Sequence, residues 1–281
     1  METGENNPIL IELGNFNINS ANSYHLSIQL GLQHFSYCLL NTSNFTYDYI
    51  RIYTFKTKDD CSSKISEIIN NDDIVTAGFS SQSLAFVGNL STLVPDLLYK
   101  EEENEQILSF NTKISGKVLA DSINEQQAHL IYSVSDNILN IVNNFFPKAK
   151  QKSQESMLIK QYSKSKKNTQ KAFIYFNNKH IIVTVFNNNK LIFNNSFNFN
   201  TKEDLLYYVL YSFEQLNIST EDIDTEILGD IQKNDEYFNL LYDYIRNLSL
   251  AKRPSQLNFP KEFEGLPEHK YFGLFTQVLC V

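Results

Sequence analysis

The sequence predicts an α/β protein of two tandem lobes, and two observations carry that prediction. One strand plan occurs twice along the chain, and each occurrence runs into a segment of helical spacing. Laying His34 over His180 sets Leu26, Ile28 and Leu30 against Ala172, Ile174 and Phe176. The same offset sets Phe35, Tyr37 and Leu39 against Ile181, Val183 and Val185. The polar break Asn41-Thr42-Ser43-Asn44 falls on Asn187-Asn188-Asn189-Lys190, after which Phe45 and Tyr47 meet Leu191 and Phe193. Alternation with a period of two, in runs rich in β-branched and aromatic residues, reads as strand, turn, strand, turn, strand, with one set of side chains on a buried face.

In the second copy Thr201 precedes Leu205, Leu206, Val209, Leu210, Phe213 and Leu216, a helical spacing with Thr201 as N-cap and Asp204 three residues on. In the first, Ser62 or Ser63 precedes Ile65, Ile68 and Ile69. Three antiparallel strands followed by a helix begin the ribonuclease-H-like fold. Two such lobes in tandem are the architecture of the actin-like ATPase fold. The expected layout is a first lobe with an insertion over residues 1–150, a basic connector over 151–170 and a second lobe over 171–281.

A chain of 281 residues suits two cores better than one. Apolar residues make up 42% and charged ones 20%, an ordinary globular balance. Met1 to Asn7 is acidic and polar, unlike a signal peptide, and no apolar run is long enough to span a bilayer, so a cytoplasmic protein without a membrane span is expected. Cys38, Cys61 and Cys280 are widely spaced without CxxC pairing, which suits reduced thiols. The net charge of −8 makes nucleic acid an unfavoured partner.

Before Tyr24, Ile9, Leu10, Ile11 and Leu13 read as an added edge strand. Ile74 to Phe79 and Leu84 to Val87 read as strands, and Ser91-Thr92-Leu93-Val94-Pro95 as the opening of a helix continued by Glu101-Glu102-Glu103. His129 to Val134 reads as a strand, followed by a helix capped by Ser135 and stopped by Pro147. Lys148 to Lys171 is locally basic; a phosphate-tracking surface is weighed against a solvated connector, and the connector is preferred. Thr225 to Leu228 reads as a strand, and Phe238, Leu241, Ile245 and Leu248 as a helix ended by Pro254. An apolar segment, Tyr271 to Val281, closes the chain.

Tyr24-His25-Leu26-Ser27-Ile28, Thr92-Leu93-Val94-Pro95 with Leu98-Tyr99 after it, and Phe145-Phe146-Pro147 together resemble an uncharacterised Bacteroidetes family, a domain of unknown function covering almost the whole chain. Its members look like actin-type ATPases in fold, nearest to the actin homologues of cell division and pilus assembly. The resemblance brings no established activity with it.

Actin-type ATPases present Asp-x-Gly on the first hairpin of each lobe. There a carboxylate positions Mg²⁺ and glycine lets backbone N–H groups approach phosphate. The corresponding triplets are Gln29-Leu30-Gly31 and Tyr175-Phe176-Asn177, which lack the acid. For adenosine the nearest match is Leu228-Gly229-Asp230, either a remnant of a Gly-Gly turn or a plain strand-to-helix turn, the latter preferred. Gln29, Gly31, Gly229 and Asp230 are therefore the degenerate nucleotide-site positions. A ribonuclease-H-type nuclease would need its first aspartate at Gln29. His25, His34, His129, His180 and His269 show no metal-ligand spacing, and no GxSxG, Walker A loop or papain-like cysteine context occurs. His34 and His180 face each other across the repeat, either near a cleft or simply as hairpin-turn residues. No catalytic or metal residue is assigned. The expected function is a catalytically degenerate scaffold that binds a protein partner, with no cofactor. The alternative is an ATP-binding protein or weak ATPase using ATP with Mg. A nucleic-acid-associated protein using Lys148 to Lys171 ranks third.

Overall fold

The structure, a computed structural model, describes residues 8–55, 59–164 and 170–280. Strands β1 (Ile9–Gly14), β2 (Tyr24–Gly31), β3 (His34–Asn41) and β4 (Thr46–Thr54) lead into helix α1 (Ser62–Asn70) and β5 (Ser81–Phe86). An insertion follows, made of β6 (Ser91–Pro95), α2 (Asn104–Ser109), β7 (Lys117–Ile123) and β8 (Ala128–Val134). Then come α3 (Asp136–Phe145), β9 (Lys150–Ser153) and α4 (Gln154–Tyr162). The second lobe runs β10 (Gln170–Asn177), β11 (His180–Asn187), β12 (Lys190–Asn198), α5 (Lys202–Gln215), β13 (Asp224–Gly229), α6 (Glu236–Tyr244), β14 (Asn247–Leu250) and α7 (Phe272–Thr276).

The first sheet has the order β1-β4-β3-β2-β5-β9, the second β12-β11-β10-β13-β14, and the insertion carries a small sheet β6-β8-β7. In both lobes the opening hairpin is antiparallel and the next strand joins it in parallel, β5 on β2 and β13 on β10. Leu26, Ile28 and Leu30 face a core closed by Ile65 and Ile69 of α1 and Ile138, Ile141 and Val142 of α3. Ala172, Ile174 and Phe176 face Leu205, Val209 and Phe213 of α5 and Phe238 and Leu241 of α6. Helix α5 starts at a full capping box, Thr201 accepting from the Asp204 N–H while the Asp204 side chain accepts from the Thr201 N–H.

Strand β2 differs from its expected one-sided burial, because all of its residues are buried. Its second face, His25, Ser27 and Gln29, lies under the C-terminal segment, where Gln277 donates to the Ile28 carbonyl and to Ser83. Alternation with polar residues therefore marks a sheet covered on both sides, one cover being polar.

Four local expectations are corrected. Ser91 to Pro95 is an edge strand paired with β8, and Pro95 sits where a missing N–H costs no ladder bond. Ile74 to Phe79 turns instead of extending, because the Asp72 carboxylate accepts from the N–H groups of Ile74 and Val75. Helix α6 ends at Tyr244, and Leu248 belongs to β14, which pairs in parallel with β13. The segment expected as a solvated connector contains β9, a strand of the first sheet, and α4, which buries Gln154 through Ile159 and Tyr162. Lys166 and Lys167 lie outside the described residues, as do Met1 to Asn7.

Two helices cross between the lobes. Leu158, Ile159 and Tyr162 of α4 pack against Phe173, Phe186 and Leu228 of the second sheet, while Met157 touches Ala85 of the first. In the other direction, Phe263, Leu274 and Phe275 cover Cys38, Leu40, Tyr47, Ile50 and Ile52 of the first sheet. The three cysteines are free and buried. No helix among the described residues is long and apolar enough to cross a membrane.

Candidate functional site

Of the four sequence-selected positions, Gln29, Gly229 and Asp230 lie at α7 or the segment leading into it, and Gly31 lies at the end of β2. The Gln29 side chain is buried on β2, and its Nε2 has no hydrogen-bond partner. It lies beneath Gly273 of α7, where a Cβ would stand 3.3 Å from Gln29 Nε2 and 3.1 Å from Gln154 Nε2. Gly31 closes β2 against the backbone just after β5, its Cβ position being 2.6 Å from the Val87 carbonyl oxygen. Gly229 ends β13 with φ +90° and a Cβ position 2.0 Å from the Phe176 carbonyl oxygen, so only glycine fits. Its N–H donates to the His269 carbonyl at 3.0 Å, and the Asp230 N–H donates to Phe176 at 2.9 Å. The Asp230 carboxylate pairs with Lys270 at 2.9 Å, on the exposed rim. Both glycines are thus accounted for by close backbone approach within the protein.

His34 and His180 each begin the second strand of a hairpin, paired with Gly31 and Asn177. His34 bonds Ser36 at 2.9 Å; burial holds its imidazole below the usual range, with Asp230 opposing. His180 lines a crevice between the lobes, and burial lowers its pKa as well.

That crevice is the feature sequence reasoning missed. The first lobe contributes Gly88 and Asn89, the start of α4 contributes Gln154 and Glu155, and the second lobe contributes Tyr175 and Asn177 beside His180. It has room for about one water molecule. Gln154 Nε2 donates to the Tyr175 hydroxyl at 2.9 Å across it. Glu155 is 5% exposed. Its carboxylate accepts from Ser91 Oγ at 2.5 Å and from Asn194 Nδ2 at 2.5 Å. Burial raises its pKa, while those two donors favour the ionised form. An acid in the first turn of a helix is an ordinary sequence feature, so nothing local singled it out. Among the described residues, no lysine or arginine lines the crevice, and no group of three metal-ligating side chains forms.

Four lysines of the basic stretch are engaged within the chain itself. Lys160 donates to the Cys280 carbonyl at 3.1 Å and Lys164 to Leu279 at 3.0 Å, which ties the C-terminal turn to α4. Lys152 approaches Asp121 at 3.6 Å and Lys171 meets Glu226 at 2.6 Å.

Two lobes of ribonuclease-H-like topology joined by crossing helices define an actin-like ATPase fold, and the comparisons agree. Residues 13–248 match the family described as protein of unknown function (DUF3822), and the chain belongs to that family. A crystal structure from Bacteroides thetaiotaomicron, of a protein with actin-like ATPase fold and unknown function, superposes with a TM-score of 0.79 at 20% identity. That match covers 95% of this chain and 100% of the other. The PilM–PilN type IV pilus biogenesis complex follows at a TM-score of 0.56 and 11% identity, covering 91% of this chain and 96% of the other. No curated protein matches the chain.

Proposed function

We propose that this protein is a catalytically degenerate actin-like protein, acting in the cytoplasm as a binding or assembly scaffold for a protein partner. The two lobes are read as copies of one ancestral unit. The observation that carries the proposal is the chemistry of the interlobe groove. The sequence comparison sets Gln29 and Tyr175 at the positions where an actin-type ATPase presents its acids, and α7 packs directly over Gln29. The groups facing the crevice are amides, a phenol, an imidazole and a carboxyl already held by Ser91 and Asn194. Mg-ATP fits that set poorly, because among the described residues no cation lines the crevice to meet the phosphates and no pair of acids lines it to meet the metal. The likeness to PilM, a protein that forms a complex with PilN, supports a partner-binding role.

The alternative, an ATP-binding protein or weak ATPase, draws on Glu155, the one carboxyl among the described residues that reaches the crevice. A thermal-shift series with Mg-ATP, Mg-ADP and metal-free ATP decides between them. Ligand at a hundred times its dissociation constant stabilises a protein by about 2.7 kcal/mol, a shift of several degrees. The scaffold reading expects no shift with any of the three, and a clear rise with Mg-ATP overturns it. The third reading, nucleic acid held by Lys148 to Lys171, is disfavoured by the partners that Lys152, Lys160, Lys164 and Lys171 already have.

A further inference from the structure

The insertion of the first lobe does not project into solvent. It reaches across the groove and grips the β11–β12 hairpin of the second lobe by two polar ties and an apolar seam. In the first tie, the Gln126 side-chain amide acts like the backbone of a pairing strand. Its Nε2 donates to the Asn189 carbonyl at 3.1 Å and its Oε1 accepts from the Leu191 N–H at 2.7 Å. Gln126 is placed for this by the tight connection between β7 and β8, where Gln127 takes a left-handed φ of +51°. Asn188 and Asn189 take φ values of +49° and +62°, which turns the hairpin tip toward it.

The second tie is Glu155, which collects Ser91 from the insertion and Asn194 from β12 on one carboxylate. Between the ties, Leu93, Ile123 and Leu130 of the insertion pack with Phe186 and Leu191 of the second lobe.

The geometry points to a clasp: the insertion holds the lobes shut over the crevice, and Gln126 and Ser91 are the contacts that must part before anything larger than water enters it. The crossing helices α4 and α7 keep the lobes attached when the clasp opens. The inference is independent of whether the groove binds nucleotide, since it concerns access and not occupancy. A half-buried side-chain amide facing backbone groups is suited to reversible closure. Both of its bonds exchange for water without leaving an ion stranded, unlike a buried ion pair.

The test reads access to the crevice directly. Ile182 is buried on β11 and lines the crevice, so Ile182→Cys in the full chain gives a thiol whose labelling by a small maleimide reports opening. Gln126→Ala added to that background should raise its labelling rate by about tenfold, the lower part of the range for two net hydrogen bonds at a half-buried amide. Labelling of Cys38, buried in the first sheet, should stay unchanged. Ser91→Ala, which leaves the amide tie intact, should raise the rate less, and the two substitutions together should multiply. An Ile182→Cys rate that stays within twofold in both variants overturns the clasp. So does an equal rise at Cys38, since that reports loosening of the whole molecule.

Discussion

Replacing Gly229 by alanine tests whether this glycine serves the backbone or a ligand. With φ at +90°, an alanine there adopts a conformation that costs an L-residue about 1–2 kcal/mol. Its Cβ would also stand 2.0 Å from the Phe176 carbonyl oxygen, inside any tolerable contact. That oxygen already accepts the Asp230 N–H at 2.9 Å, so β10 and the end of β13 would have to separate and loosen that bond. Forced displacement in a packed interior adds about 1–3 kcal/mol. The expected loss is therefore about 2–5 kcal/mol, a large part of the 5–15 kcal/mol by which domains are usually stable. Urea unfolding followed by circular dichroism reads it as a lower midpoint at unchanged slope. Gly88 is the control, because its φ is +76° but a Cβ there meets nothing within 4 Å. Gly88→Ala should show the backbone term alone, about 1–2 kcal/mol. A Gly229→Ala protein within about 0.5 kcal/mol of wild type, or no worse than Gly88→Ala, would refute the steric account and reopen a ligand role for the glycine.

Two other predictions concern buried polar groups. His25 is buried between Ser81 Oγ at 2.7 Å and Ser83 Oγ at 2.9 Å, and burial, with help from Lys150, lowers its pKa to about 4. Between pH 6.5 and 4 the unfolded chain takes up a proton that the folded one refuses, so stability should fall as the pH falls through that window. At 1.36 kcal/mol per pH unit the loss reaches about 3 kcal/mol, and His25→Asn should flatten the midpoint-against-pH curve; an identical slope in the variant defeats the assignment. Arg51 joins Glu12 at 2.6 Å to the buried Asp72 at 2.8 Å. Arg51→Ala should cost about 3 kcal/mol, the low end for breaking a buried pair, because Asp72 keeps the Tyr37 hydroxyl at 2.6 Å and two backbone N–H groups. Asp72→Asn in the same background should recover part of that loss in urea melts, and no recovery would show that Asp72 is not the group left stranded.

What could be read from the chain was what short-range periodicity encodes. Strands β2 and β10, and likewise β3 and β11, begin and end at the positions the repeat alignment pairs. The alignment then slips at β4 and β12, because the first lobe turns through Thr42 to Phe45 while the second turns through Asn188 and Asn189 alone. The capping box of α5 was legible because all of its donors and acceptors lie within four residues. Helix α4 was not, since its buried Gln154, Glu155 and Ser156 look solvated until Tyr175, Asn194, Ser91 and Asp121 are placed against them. The candidate site divides the same way. Sequence picked out the triplets that end the first strand of each hairpin, whereas the crevice and the clasp depend on contacts between residues 21 or more positions apart.

The covering of the first sheet by the tail sets a timetable for synthesis. Tyr47, Ile50 and Ile52 leave the ribosome roughly 220 residues ahead of Leu274 and Phe275, about 10 to 45 s at common elongation rates. Throughout that interval the face carrying Tyr47, Ile50 and Ile52 lacks its cover, which is not yet translated. A nascent chain stalled with residue 255 at its end should expose that bare face to a hydrophobic probe, and the full-length chain should not.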